Sequence, residues 1–399
     1  MLVLSLTLLL TATTRRSKPV RGCAMQRLVV CADGTWKSKD DSSDATNVEK
    51  LCEVVLPSAA DGTVQRAEYF PGVGVSRWER LRGGAFGWGL SRNVKDCYRW
   101  LVDHAGPDDE IYLFGFSRGA FTVRSLAGMI RNVGLLTPDN VGLLDEAYSH
   151  YRDRDPQWRV SGARAIAFRE RWSRELPSLR CLGVWDTVGA LGVPTRGPIG
   201  ALTRRRWGFH DVELSGKVEN AFHALAIDER RRAFAPTLWQ ADAAHADEQH
   251  VEQVWFAGTH SNVGGGHEDC GLSDTTLVWM AERARHCGLE LDEERLRRLT
   301  PDAAQGQLHD SYTRLYRLQR PYVRRLCVEP PSSPGRSLRT YQRVHESALE
   351  RRERCTDPPR GPYRPGNLLD YLSSAEPPPT GLPRGDAAST RAPSSSSSR

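Results

Sequence analysis

The stretch from Asp109 to Gly128 constrains the fold of this chain more than any other. Ile111, Tyr112, Leu113 and Phe114 form an unbroken apolar and aromatic run, the pattern of a strand covered on both faces. Gly115-Phe116-Ser117-Arg118-Gly119 follows at once, a G-x-S-x-G, and Ala120, Val123, Leu126, Ala127 and Ile130 then recur at helical spacing. Strand, sharp turn and helix in this order are the context of a nucleophile elbow. The serine sits on a strained turn, and the flanking glycines leave room for the backbone to double back. Ser117 then stands at a helix N-terminus, where N–H groups and the helix dipole favour developing negative charge. The competing reading is a serine that only caps a helix after a glycine turn.

A serine hydroxyl is a poor nucleophile at neutral pH. It needs a general base, usually histidine, and a carboxylate that fixes the tautomer of that base. In elbow-type hydrolases the chain order is Ser, acid, His, with acid and base just after later strands. Two further strands end directly on such residues. Leu179 to Val184 leads into Trp185-Asp186-Thr187, and Val251 to Phe256 leads into Ala257-Gly258-Thr259-His260. Ser117, Asp186 and His260 are therefore expected as nucleophile, orienting acid and base on one sheet edge. Asp186 could instead cap its own turn. Asp228 is the rival acid, read as ion-paired with Arg230, Arg231 and Arg232 beside it. His267 and His345 are rival bases or supporting residues.

An oxyanion hole needs two backbone donors, the N–H after the nucleophile and one from a loop after an early strand. The first is that of Arg118. Leu28 to Ala32 reads as the buried first strand and ends in Asp33-Gly34-Thr35, so Gly34 or Thr35 is expected to supply the second. Asp33 is read as binding a cation or holding this loop, with the Thr35 hydroxyl and backbone as its partners. His260, His267 and Cys270 match no zinc spacing, and neither metal nor other cofactor is expected.

The remaining pattern is α/β. A helix is expected from Thr46 to Leu56, a strand from Val64 to Phe70 and an amphipathic helix from Asn93 to His104. Helices are also expected over Val218 to Ile227 and Ser273 to His286, the latter capped by Ser273. Gly83 to Leu90 fits neither the P-loop nor the dinucleotide fingerprint. It reads as a mobile loop over a pocket, with Phe86 and Trp88 as substrate contacts. Residues 139–177 read as a helical cap or insertion. The expected architecture is α/β-hydrolase-like: a mostly parallel sheet with helices on both faces and that helical insertion. It spans 25–370, preceded by an arm or over-extended start (1–24, with Met25 the natural start) and followed by a disordered tail (371–399) carrying Pro377-Pro378-Pro379 and Ser394 to Ser398.

Composition narrows the function classes. The 399 residues carry a net charge of +6, nearly all the positive charge being arginine spread along the chain. No nucleic-acid module accompanies it, so nucleic acid is not expected as a partner, whereas a basic surface suits contact with anionic lipid. Met1 to Leu10 is too short to span a bilayer, and no transmembrane segment is expected. Nine cysteines without a C-x-x-C fit a reducing compartment, so the cytoplasm is expected, with export left open.

Leu28 to Trp36 with Thr46-Asn47-Val48, Phe114 to Arg124, Val184 to Gly189 and Val254 to Gly266 are successive blocks that resemble one family, the α/β-hydrolase catalytic domains of type VI secretion phospholipase effectors. The resemblance covers about Arg27 to Cys287, and His345-Glu346-Ser347, Tyr363-Arg364-Pro365 and Asn367-Leu368 resemble the family's C-terminal block. It implies a serine esterase acting on phospholipid acyl esters, with Ser117, Asp186 and His260 at the nucleophile, acid and base positions. Asn262 stands where Asp is frequent in the family, and His267 where Tyr is usual. The expected function is thus a serine hydrolase that cleaves a carboxylic ester, a lipid or phospholipid acyl ester, through an acyl-enzyme. The alternative is a non-catalytic lipid- or protein-binding module on the same fold. A phosphate-handling enzyme built on Asp33-Gly34-Thr35 would need a second motif that the sequence does not show.

Overall fold

The computed structural model describes residues 25–34, 45–72, 85–188, 214–242, 248–329, 338–355 and 362–374. The arm 1–24, Thr35, the glycines at 83–84 and the stretch from 375 onward lie outside the described residues.

Seven parallel strands form the sheet among these residues: β1 (Gln26–Ala32), β2 (Val64–Phe70), β3 (Glu110–Phe116), β4 (Ser178–Trp185), β5 (Val218–Ala226), β6 (His250–Phe256) and β7 (Gln342–Val344). Their order across the sheet is β7-β6-β5-β4-β3-β1-β2. The helices used below are α1 (Asn47–Val54), α2 (Ala85–His104), α3 (Arg118–Val133), α4 (Leu144–Arg152), α5 (Ala163–Trp172), α6 (His260–Gly264), α7 (Gly271–His286), α8 (Glu346–Arg354) and α9 (Gly366–Ser373).

The period-2 alternation of β1 builds two cores. Leu28, Val30 and Ala32 face a cluster with Val94, Tyr98 and Leu101 of α2 and Ala120, Val123 and Leu126 of α3. Val29 and Cys31 face the opposite cluster, with Val48 and Leu51 of α1 and Leu277 and Met280 of α7. Helices thus cover both faces, and burial of each such Val, Leu or Met stabilises the fold by roughly 1.5–3 kcal/mol. A third cluster lies under the C-terminal segment, where Leu225, Ile227 and Trp255 meet Leu326, Ala348 and Leu368.

The strand order places β2 and β3 on opposite sides of β1, so the chain reverses its winding direction there. A crevice opens at such a switch point, outside the carboxyl ends of the strands. Asp33 follows β1 and Ser117 follows β3, so the expected site residues sit at this reversal.

Residues 139–177, the expected helical insertion, hold α4 and α5. Leu135–Leu136 pairs antiparallel with Ser173–Arg174 at its base. α4 and α5 between them pack on α2 and α3, with Tyr148 Oη donating to Ser91 Oγ at 3.0 Å and Asn132 Nδ2 to the Trp158 carbonyl at 2.7 Å.

Three expectations are corrected. Val218 to Ala226 is a strand, not a helix. Val218, Ala221, Phe222 and Leu225 happen to fall at helical spacing, but the strand is buried on both faces, which erases the alternation that would have marked it. The helix expected from Asn93 begins at Ala85, so Gly87 and Gly89 lie inside it rather than in a loop. The expected substrate contacts of Phe86 and Trp88 fall on side chains outside the described residues. The helix expected to start at Ser273 begins at Gly271, and Ser273 Oγ donates to the Cys270 carbonyl at 3.1 Å from within its first turn. At the far end, α9 carries the chain three residues past 370.

Candidate active site

Ser117 has φ 55° and ψ −114°, a conformation that a residue with a Cβ adopts only under strain. Its surroundings impose it. Ser117 N–H donates to the Trp185 carbonyl at 3.1 Å, tying the turn to the end of β4. The two motif glycines allow the close approach. A Cβ on Gly115 would lie 2.5 Å from the Gly119 carbonyl oxygen, and one on Gly119 would overlap the Ala32 carbonyl. The strand-to-helix reversal therefore exists only because neither position carries a side chain.

Three expected residues meet at this turn. His260, the first residue of α6, places Nε2 2.9 Å from Ser117 Oγ and Nδ1 2.6 Å from Asp186 Oδ2. All three are buried, Asp186 completely. The imidazole lies between Phe116 and Phe234, with ring centroids 4.7 and 4.8 Å away. With the Nδ1 proton directed at Asp186, Nε2 is left to accept from the Ser117 hydroxyl.

Asp186 is itself held at φ 39°, and its N–H donates to the Ala224 carbonyl at 2.8 Å. Its Oδ1 accepts from Ala226 N–H at 3.2 Å. Burial alone would raise its pKa, but Arg324 and His260 hold it below the ordinary carboxylate range. Arg324, 1% exposed, donates Nη1 to Oδ1 at 2.6 Å and Nη2 to Oδ2 at 3.0 Å. Sequence reasoning missed Arg324, because nothing in Tyr322-Val323-Arg324-Arg325-Leu326 separates it from Arg325. Only the period-2 pattern that turns Arg324 and Leu326 inward while Val323 and Arg325 face out could have marked it.

Glu229 was also missed. It is buried, and its Oε2 accepts from His260 N–H at 3.3 Å, Ser311 Oγ at 2.9 Å and Arg231 Nη2 at 2.8 Å. Asn262 fixes the turn before His260. Its Oδ1 accepts from Thr259 N–H at 3.2 Å and from His309 N–H at 3.2 Å, while its Nδ2 donates to the Gln307 carbonyl at 2.9 Å. An aspartate could not make the last of these bonds.

Asp33 and Gly34 stand against the nucleophile. A Cβ on Gly34 would lie 2.8 Å from Ser117 Cβ and 3.4 Å from its Oγ. Asp33 is buried and its pKa is raised by that burial. Its Oδ2 accepts from the Thr46 and Tyr69 hydroxyls at 2.5 and 2.7 Å. The expected Thr35 partner lies outside the described residues. Gly34 N–H donates to Asp33 Oδ1 at 2.6 Å. Gly34→Ala is expected to lower ester turnover at least about tenfold, because the new methyl group competes with Ser117 for space and a small misplacement of reacting atoms is costly. Turnover measured beside an unfolding curve separates this from a loss of fold.

The rivals lie elsewhere. Asp228 was expected to pair with the neighbouring arginines. It instead accepts from Gly258 N–H at 2.7 Å and Tyr363 Oη at 2.8 Å, while Arg231 pairs with Glu229 at 2.8 Å and Arg230 with Asp310 at 2.9 Å. Burial pushes Asp228 up to about 6. A carboxyl raised on folding favours the fold when protonated. Its contribution is full below the unfolded value of about 3.9 and is lost as pH rises through about 6. Asp228→Asn keeps the acceptor without the charge. It should raise stability at about pH 8 by roughly 1–2 kcal/mol and change little at about pH 4, as read from urea unfolding at both. His345 stacks on Phe256 at 4.5 Å and bonds Ser347 at the start of α8, with burial pushing it down to about 4. His267 stacks on His309 at 3.8 Å. The hydrogen bonds to Ser117 Oγ and Asp186 Oδ2 are made by His260. Among the described residues no group of three His, Cys, Asp or Glu side chains is arranged to hold a metal ion.

A parallel sheet wound in this order, with a strand–serine–helix elbow at its switch point, defines an α/β-hydrolase-like protein. The chain belongs to the family of T6SS phospholipase effector Tle1-like catalytic domains, whose model matches residues 26–283. That family is one of lipid-hydrolysing domains, as the sequence blocks implied. The chain is 29% identical over 230 residues to the uncharacterised protein YEL023C of Saccharomyces cerevisiae, covering 52% of this chain and 32% of that protein. Among solved structures it is similar to an uncharacterised protein from Pseudomonas aeruginosa, at 18% identity and a TM-score of 0.38, over 69% of this chain and 48% of that one. It is also similar to the Tle1 effector bound to the VgrG spike from the type 6 secretion system, at 18% identity and a TM-score of 0.35, over 63% and 52%. The chain thus spans about a third of the yeast protein and about half of each solved structure. Among the described residues no helix is long and apolar enough to cross a membrane.

Proposed function

We propose that the chain is a serine esterase that hydrolyses an acyl ester of a phospholipid through an acyl-enzyme on Ser117. The observation that carries this reading is the unbroken row from Ser117 Oγ to His260 Nε2 (2.9 Å) and from His260 Nδ1 to Asp186 (2.6 Å) on a strained elbow. His260 takes the Ser117 proton as Oγ bonds to the ester carbonyl carbon. The tetrahedral centre collapses, the C–O bond to the alcohol breaks, and His260 returns the proton to the departing alkoxide. Water, deprotonated by the same imidazole, then cleaves the acyl-enzyme to a fatty acid and frees Ser117.

Asp186 orients His260 and stabilises its charged form. The N–H of Arg118 at the start of α3 is one oxyanion donor. The second is a backbone N–H of the loop after β1, from Gly34, whose N–H donates to Asp33 Oδ1 here, or from Thr35, which lies outside the described residues. The family membership supports a phospholipid as substrate, and the net charge of +6 suits contact with anionic lipid. The test is release of fatty acid and lysophospholipid from phosphatidylcholine and phosphatidylglycerol vesicles by the wild-type chain. Vesicle binding without ester cleavage, at any acyl chain length, would replace this reading with that of a binding module.

A further inference from the structure

We propose that Arg324 is a positioning residue for this reaction, a fixed cation that clamps both oxygens of Asp186 and so sets the direction and strength of its pull on His260. The proposal rests on the catalytic reading of Ser117, His260 and Asp186. Arg324 lies C-terminal to the residues that match the family, so the site is completed by a segment outside them.

Each Asp186 oxygen has two partners. Oδ1 accepts from Arg324 Nη1 and Ala226 N–H, and Oδ2 faces Arg324 Nη2 and His260 Nδ1. The planar guanidinium fork holds the carboxylate plane, which a lysine ammonium cannot do. The fork is itself fixed. Nη1 also donates to the Ala226 carbonyl at 2.8 Å and Nη2 to the Phe234 carbonyl at 2.6 Å. Asn367 Nδ2 ties the Arg324 carbonyl, at 3.1 Å, to that of Ile227 at 3.0 Å, and Leu326 anchors the segment in the apolar cluster under β5 and β6.

A cation on the far side of Asp186 also cancels part of its field at the imidazole. The other charged or titratable groups around the pair are Glu229 on the His260 N–H and Arg231 on Glu229. On the β5 side, His223 accepts the Thr187 N–H beside Asp186, with Arg124 acting on His223. None of these bridges the Asp186 oxygens. Removing the Arg324 charge leaves the carboxylate's attraction for positive charge on the imidazole uncancelled.

The test measures kcat and KM across pH on a soluble nitrophenyl ester for wild type, Arg324→Met and Arg324→Lys, with unfolding curves for each. Arg324→Met is expected to lose at least about tenfold in kcat with KM within about twofold, and to move the acid limb of kcat/KM up by about one pH unit. Arg324→Lys keeps the charge and loses the fork, so its limb should stay at the wild-type position with an intermediate kcat. Wild-type kcat and limb in a folded Arg324→Met overturn the proposal, as does an equal loss in both variants with neither limb moved. If Arg324→Met does not fold, Arg324→Lys decides: an intermediate kcat at unchanged KM and limb supports the clamp, and wild-type kcat overturns it. A wild-type chain with neither turnover nor fluorophosphonate labelling at Ser117 overturns the catalytic reading and the clamp together. A labelled, active wild type beside an unaltered Arg324→Met overturns the clamp alone.

Discussion

Ser117→Ala is expected to lower kcat for ester hydrolysis by ~10⁴-fold or more while leaving the chain folded. The substitution deletes one oxygen, which is hydrogen-bonded to His260 Nε2. The strained φ of 55° stays, because the end of β4 and the Gly115–Gly119 approach impose it. What remains is binding and the oxyanion donors, which sustain only a small residual rate. Because Ser117 and His260 act as a unit, the double variant Ser117→Ala, His260→Ala should be no slower than either single variant. Initial rates for the three proteins check this. Additive losses would mean that the two residues act independently, against the geometry that joins them.

Asp186→Asn should act on both rate and stability. The orienting carboxylate becomes an amide whose NH₂ or C=O must face His260, and loss of the correct tautomer costs about 10⁴ in kcat in such a row. The same change removes the carboxylate directly paired with Arg324, which is 1% exposed. Breaking a buried pair from one side typically costs about 3–5 kcal/mol. A melting curve should therefore fall clearly below that of Ser117→Ala. The sign of the pH dependence follows from the depressed Asp186. A carboxylate lowered on folding contributes stability above its unfolded value of about 3.9, and that contribution is lost as pH falls through the folded value. Wild type should thus lose stability at acid pH by a margin that Asp186→Asn lacks, as urea unfolding at about pH 7 and at about pH 3 would measure.

Much of the sheet and the row Ser117–His260–Asp186 was legible in the sequence for one physical reason. β3, β4 and β6 are buried on both faces, so they read as apolar runs, and each ends within a few residues of a chemically distinctive side chain. The same burial hid β5, whose continuous apolar content also fits a helix. Arg324 and Glu229 were hidden for another reason. Both lie in arginine-rich stretches that read as solvated surface, and only tertiary packing turns Arg324 toward Asp186 and folds Glu229 under the His260 N–H. Asp228 reversed the expectation for its neighbourhood. Arg231 paired with Glu229 and Arg230 with Asp310 instead, while Asp228 turned to Tyr363 of the C-terminal segment, a contact that no local pattern encodes.

The central claim is that Ser117 is an activated nucleophile, and the most direct measurement is covalent. A fluorophosphonate probe incubated with wild type, Ser117→Ala and His260→Ala is followed by intact mass and by the mass of the peptide spanning the elbow. One adduct on Ser117 in wild type, strongly slowed in His260→Ala and absent in Ser117→Ala, is the expected result. A wild-type chain that turns over ester yet stays unlabelled at Ser117, or that is labelled as fully in Ser117→Ala, would contradict it.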